Sequence, residues 1–256
     1  MGKHRSLREI AATLCNLLFP PRCVGCRDLL RPSDGTDTVF CPYCRTKWEA
    51  AMAEAAPQAV RDAERGVIYL TFYRPHRPDG VPERVIYHLK HKGDPRTFAF
   101  VASRLAPRVL RAADALPTRA PASEMDREEP SPLLFTYPPR RRSAVREYGF
   151  DQASRLARAL AKACGGEYAT LIRRVRRPAP AQKTLDERHR MQNAAHAYLL
   201  NPRRARIVRG RTVVVCDDLR ASGATLGRCA ELLTEAGAGL VLLVTVERTH
   251  IHEKTM

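Results

Sequence analysis

Residues 211–246 read RTVVVCDDLRASGATLGRCAELLTEAGAGLVLLVTV, and the order of residue types along them decides the fold. Val213, Val214 and Val215 form a continuous apolar run, the pattern of a parallel strand buried on both faces. Asp217 and Asp218 follow. Then come five small residues, Ala221, Ser222, Gly223, Ala224 and Thr225, expected to form a loop. A helix is expected from there to about Ala236, stopped by Gly237. Leu240 to Val246 reads as a second buried strand. The unit is β-α-β, with its loop at the carboxyl end of a strand and the amino end of a helix.

That position suits an anion. The first N–H groups of a helix lack partners within it and carry the positive end of its dipole. Gly223 permits close backbone approach, and Ser222 and Thr225 add hydroxyl donors. Two adjacent carboxylates would repel a phosphate they touched. They make sense a few ångströms away, as acceptors for sugar hydroxyls or holders of a divalent cation. The implied ligand is a ribose 5-phosphate. The competing reading is an ordinary strand-to-helix turn with two surface acids.

CDDLRASGAT, residues 216–225, resembles the motif with which type I phosphoribosyltransferases bind phosphoribosyl pyrophosphate (PRPP). The resemblance implies that Asp217 and Asp218 hold the ribose 2′ and 3′ hydroxyls, and that the loop from Ala221 to Thr225 holds the 5′-phosphate. It also implies a Rossmann-like parallel sheet flanked by helices. The sequence departs at one point: the usual Thr-Thr-Gly is Ala-Ser-Gly, so Ala221 has no hydroxyl. A net hydrogen bond is worth about 1 kcal/mol, which weakens binding rather than abolishing it.

The whole chain has 256 residues, room for one large domain or two smaller ones. It is 44% hydrophobic, enough for a real core, and its formal charge of +17 favours polyanions such as nucleic acid, phosphorylated metabolites or acidic lipid surfaces. No apolar run is long enough to span a membrane. Leu7 to Phe19 reads as a short amphipathic helix, with Leu7, Ile10, Leu14 and Leu17 or Leu18 on one face, ended by Pro20 and Pro21. Glu9 interrupts its apolar patch and no small-residue cleavage site follows, so a signal peptide is not expected and a cytoplasmic location is.

Cys23-x2-Cys26 and Cys41-x2-Cys44 stand fourteen residues apart. Two such knuckles bring four thiolates to a tetrahedron suited to zinc, and four thiolates leave no open position, so the site reads as structural. Disulfides are the competing reading; reduced cytosolic thiols disfavour them. Cys15, Cys164, Cys216 and Cys229 lack the spacing and read as small buried hydrophobes.

Between the knuckles and the β-α-β unit, Ala50 to Ala63 reads as a connecting helix and Val67 to Tyr73 as a strand. Val81 to His91 reads as a helix with Val85, Ile86 and Leu89 inward, and Phe98 to Leu110 as another. His88 and His91 have no acidic or cysteine partner in sequence and read as solvated. Residues 117–132 are rich in proline and charge, an exposed loop. Leu133 to Tyr137 is a short strand that runs into Pro138, Pro139, Arg140, Arg141 and Arg142. A helix opens near Gln152 and runs through Lys162, with Asp151 as its cap.

Further motifs sharpen the resemblance. Leu-Phe-Pro-Pro ahead of the knuckles, Tyr148-Gly149-Phe150-Asp151-Gln152, and the block Gln182…Leu185…Arg190…Asn193 occur in an order similar to the ComF family (ComFC/GntX-like). That family implies an N-terminal helix and zinc ribbon over residues 1–50 and a phosphoribosyltransferase-like domain over residues 64–250. It singles out Gly149, Phe150, Gln152, Gln182, Arg190 and Asn193, and places pyrophosphate at the Arg140–Arg142 loop, where a solvated basic loop is the alternative. It implies PRPP with Mg²⁺, a role in DNA uptake in natural competence, single-stranded DNA, and a helicase-like partner. Tyr148 stands where the family has arginine and Asp151 where it has asparagine. Arg140–Arg142, Arg173–Arg177 and Arg203–Arg211 are consistent with phosphate-backbone contacts; aromatics are only 6%, so base stacking has little support. Two functions stay open. One is a phosphoribosyltransferase, an enzyme of the glycosyltransferase class. The other is a non-catalytic module that binds nucleotide or single-stranded DNA.

Overall fold

A computed structural model of the chain describes residues 20–31, 39–77, 79–118, 131–175 and 197–249. The expected helix at Leu7–Phe19, most of the loop at 117–132, and Gln182, Arg190 and Asn193 lie outside the described residues.

Among the described residues the frame is a six-stranded, wholly parallel sheet. Its strands are β1 (Val67–Ile68), β2 (Thr71–Tyr73), β3 (Leu134–Thr136), β4 (Glu167–Tyr168), β7 (Thr212–Arg220) and β8 (Leu240–Thr249). The order is β1-β8-β7-β3-β4, and β2 continues along the β1 edge of β8. β7 and β8 sit at the centre, and Val213, Val214 and Val215 are fully buried, as a continuous apolar run requires. The expected single strand at Val67–Tyr73 is two pieces. Arg108 donates to the Tyr69 carbonyl, while Leu70 keeps one bond to the Val246 carbonyl at 3.0 Å.

The helices are α1 (Pro42–Ala63), α2 (Val81–His91), α3 (Pro95–Ala115), α4 (Arg142–Tyr148), α5 (Gln152–Ala163) and α6 (Ala224–Glu235). Alternation along the strands splits the core in two. Val214, Cys216, Val244 and Val246 pack with Val85, Ile86 and Leu89 of α2, Val101 and Leu105 of α3, and Leu156 and Leu160 of α5. Val213 and Val215 pack on the other face with Leu226, Cys229 and Leu233 of α6. α2 ends where Gly93 takes φ 64°, and Asp94 caps α3 by accepting from the Arg96 N–H at 3.0 Å. β5 (Ile172–Arg174) and β6 (Tyr198–Leu200) form a separate antiparallel pair, followed by a 3-10 helix over Pro202–Val208.

The cysteine knuckles are built into the first of these cores. Cys23, Val24, Phe40, Cys44 and Trp48 are buried in it. Phe40 meets Trp48 at 5.7 Å and Phe100 of α3 edge-on at 5.3 Å. α1 starts at Pro42, inside the second knuckle, so knuckle and connecting helix are one element.

Candidate functional site

β7 runs five residues beyond Val215, to Arg220. Asp217 and Asp218 therefore stand inside the strand, and the loop shrinks to Ala221, Ser222 and Gly223, with Ala224 and Thr225 in the first turn of α6. Successive strand residues face opposite ways. Asp218 turns toward α2 and α5 and is only 5% exposed. Its Oδ1 accepts from Gln152 Nε2 at 3.2 Å, and its Oδ2 pairs with Lys90 Nζ at 3.1 Å. Asp217 is half-buried, and its Oδ1 accepts from the Asp218 N–H at 2.9 Å.

These contacts divide the two acids. Burial alone would raise the Asp218 carboxyl, but the Lys90 ammonium and the hydrogen bonds from Asp217 and Gln152 outweigh it, so Asp218 lies below the usual range. Burial and then the neighbouring Asp218 charge push Asp217 well above it. The pair therefore holds its first negative charge on Asp218.

Beside the acids is the cradle. Gly223 takes φ 79°, a left-handed conformation that glycine adopts without strain, and α6 starts there. Ser222 Oγ accepts from the Ala224 N–H at 3.4 Å. The Tyr198 phenol accepts from Arg174 at 2.7 Å. Ala221 and Ser222 are exposed.

The remaining candidates fall on both sides of the N-terminus of α5. Asp151 caps this helix, accepting from the Ala153 and Ser154 N–H groups at 3.1 and 3.3 Å. Its other oxygen accepts from the Arg140 N–H at 2.9 Å. Gln152, the next residue, holds Asp218. One helix end therefore ties the arginine loop to the acids. The Arg140 guanidinium lies over Tyr148 at 5.3 Å, and Arg141 and Arg142 are exposed. Gly149 closes α4 at φ 76°, and Phe150 packs under the Arg155 guanidinium at 4.2 Å.

Three residues of the site take no role from the sequence. Lys90 comes from α2, where its charge is visible in sequence but its aim at Asp218 is not. Arg220 folds back across Gly223, with its Nε buried and unpartnered. Glu247 is fully buried on β8, and neither of its carboxylate oxygens has a partner. Burial, then Glu83 and Asp218, push Glu247 well above the carboxylate range. The reading of His88 as solvated is corrected: it is half-buried, its Nδ1 is buried without a partner, and burial lowers its pKa. Val85 and Leu89 on the same face draw it inward. His91 is exposed and lies between Tyr87, tilted at 4.6 Å, and Tyr148, edge-on at 4.9 Å.

The four knuckle thiols lie within 4.8 Å of one another, and Cys26 Sγ and Cys41 Sγ are 3.7 Å apart. A tetrahedral zinc with thiolates at about 2.3 Å sets its sulfurs about 3.8 Å apart. The four cysteines are free of disulfides and could hold a metal ion. Gly25 makes the packing possible: a Cβ there would meet Cys44 Sγ at 2.5 Å. Cys216 and Cys229 are buried, Cys164 is half-buried, and Cys15 lies outside the described residues.

Residues 144–254 match the family described as the phosphoribosyl transferase domain. No protein of curated function matches the chain significantly. Among solved structures, glutamine phosphoribosylpyrophosphate amidotransferase from B. subtilis, complexed with ADP and GMP, is 16% identical with a TM-score of 0.36; the match covers 62% of this chain and 30% of that one. Hypoxanthine phosphoribosyl transferase from Trypanosoma cruzi is 15% identical with a TM-score of 0.32, covering 64% of each chain. TT1426 from Thermus thermophilus is 15% identical with a TM-score of 0.30, covering 62% of this chain and 86% of that one. This chain thus spans less than a third of the amidotransferase. No helix among the described residues is long and apolar enough to cross a membrane.

Proposed function

We propose, on the match of residues 144–254 to the phosphoribosyl transferase domain, that the carboxyl edge of β7 binds PRPP, or a related ribose phosphate, and transfers its phosphoribosyl group. The carrying observation is the Asp217–Asp218 pair set beside the left-handed Gly223 that opens α6. Asp218, kept ionised by Lys90 and Gln152, accepts hydrogen bonds from the ribose hydroxyls, with Asp217 beside it. The first N–H groups of α6, with Ser222 and Thr225, hold the 5′-phosphate. Arg140, Arg141 and Arg142 face the leaving pyrophosphate. The residues act by position and charge on a transition state that carries positive charge on the ribose. Hard oxygen donors at this edge suit Mg²⁺, which when bound with PRPP would offset charge on the pyrophosphate.

The four thiols are structural zinc ligands in this reading. The order of motifs supports a ComF-like protein associated with DNA uptake in the cytoplasm, beside single-stranded DNA and a helicase-like partner. A second reading, a binding module without turnover, is favoured by Ala221, which lacks the usual hydroxyl, and by Lys90, which already occupies Asp218.

Calorimetric titration of the zinc-loaded protein with PRPP and Mg²⁺ tests the site. Binding is expected in the wild type and lost in Asp217→Ala/Asp218→Ala. Binding that survives the double substitution overturns the assignment. Pyrophosphate release in the presence of candidate acceptors separates turnover from binding alone.

A further inference from the structure

We infer that Arg220 is the counter-ion of the ligand's monoester phosphate, standing in for the hydroxyl that Ala221 lacks. The inference rests on the ribose-phosphate reading of the site and gives a role to Arg220, which lies within the motif stretch but has none in that reading.

Arg220 is the last residue of β7, and its side chain turns back over the loop. A Cβ on Gly223 would meet its Nε at 2.9 Å and one terminal nitrogen at 3.0 Å, so the guanidinium lies across the glycine that opens α6. Nε is buried and has no hydrogen-bond partner. An unpaired buried donor is costly, and one held against a phosphate cradle has an evident acceptor.

The charge around it makes the same case. Arg220 stands in register with Arg248 on β8. Burial first, and Arg248 second, lower the Arg220 pKa, so its surroundings are short of negative charge. The acid that acts on it, Asp62, is already taken. Asp62 pairs with Arg248 and accepts from the Tyr69 hydroxyl at 2.9 Å. The Arg248 guanidinium also lies 5.8 Å from the Tyr69 ring centre. Arg248 is thus neutralised and Arg220 is not. Of the neighbouring cations, Lys90 pairs with Asp218 and Arg140 lies over Tyr148. A phosphate monoester carries nearly two negative charges, and a guanidinium offers it a planar fork of donors. Such a bond exceeds the neutral hydroxyl bond it replaces.

The test is calorimetric titration with ribose 5-phosphate, pyrophosphate and inorganic phosphate as probes. Arg220→Gln is expected to weaken ribose 5-phosphate about tenfold or more, with pyrophosphate unchanged. Arg220→Lys keeps the charge and stem but loses the fork, and is expected to fall between the two; it carries the test should the Gln variant fold poorly. Ala221→Thr should recover more affinity in the Arg220→Gln background than in the wild type. Equal loss of ribose 5-phosphate and pyrophosphate, loss of neither, or a wild type that binds no phosphate probe overturns the inference. The ribose-phosphate reading fails separately. If inorganic phosphate binds through Arg220 while ribose 5-phosphate is indifferent to Asp217→Ala/Asp218→Ala, the phosphate subsite stands and the sugar assignment falls.

Discussion

Single residues show where the site departs from ordinary stability. Glu247 is fully buried with a raised pKa and no hydrogen-bond partner for either oxygen. Its folded form holds a proton that the unfolded chain has lost, so its contribution is full below the unfolded value near 4.5 and declines as pH rises through the folded one. Each pH unit inside that window costs about 1.4 kcal/mol. Glu247→Gln removes the titration, so its stability relative to wild type should climb as pH rises above the unfolded value; a parallel offset in urea melts at two pH values above it would refute this. Asp218 has the opposite sign. Its lowered pKa stabilises the fold above the unfolded value and is lost on acidification. Asp151→Ala removes a cap with two N–H bonds and frees the Arg140 N–H. A loss of about 1 kcal/mol by denaturant titration is expected.

At the scale of elements, α2 links the knuckles to the acids. Near its start, Arg84 donates to the Gly25 carbonyl at 2.7 Å; near its end, Lys90 reaches Asp218. Val85, Ile86 and Leu89 between them lie in the core that also holds Cys23 and Cys44. Removing a metal held by the four thiols should therefore lower the melting temperature of the whole protein in one transition, read by calorimetry, rather than unfold a separate ribbon. Two distinct transitions would count against a shared core. Lys90→Met leaves Asp218 buried without its cation and should cost about 2 kcal/mol. It should also raise the acid midpoint of unfolding, because Asp218 then protonates at higher pH.

At the scale of the whole molecule, the chain carries a formal charge of +17. Arg203, Arg204, Arg206 and Arg209 are exposed on and just after the 3-10 helix, whereas Arg211 is tied to Glu167 and the Pro132 carbonyl. The exposed group lies at the amino end of β7, the end opposite Asp217 and Asp218. Single-stranded DNA, if it binds, should do so with a plot of log K against log salt steeper than about −2, the mark of three or more phosphate contacts. Binding that ignores salt would exclude this face.

The sequence by itself determined the central β-α-β unit, the paired acids, the glycine at the helix start and the four clustered cysteines. Each is written in neighbouring residues: an apolar run, a doublet, a φ that glycine tolerates, a fixed spacing. Only the tertiary structure decided that Lys90, Gln152 and Glu247 converge on those acids, and that the Arg220 side chain folds back over Gly223. They come from α2, α5 and the ends of two strands. What brings them together is burial of both sheet faces, which acts across the chain and leaves no local pattern. His88 shows the same limit from the other side. Lys90, His91 and Lys92 follow it closely, yet packing beside Val85 and Leu89 drew it inward, because a helix turns about 100° per residue and packing chooses the face.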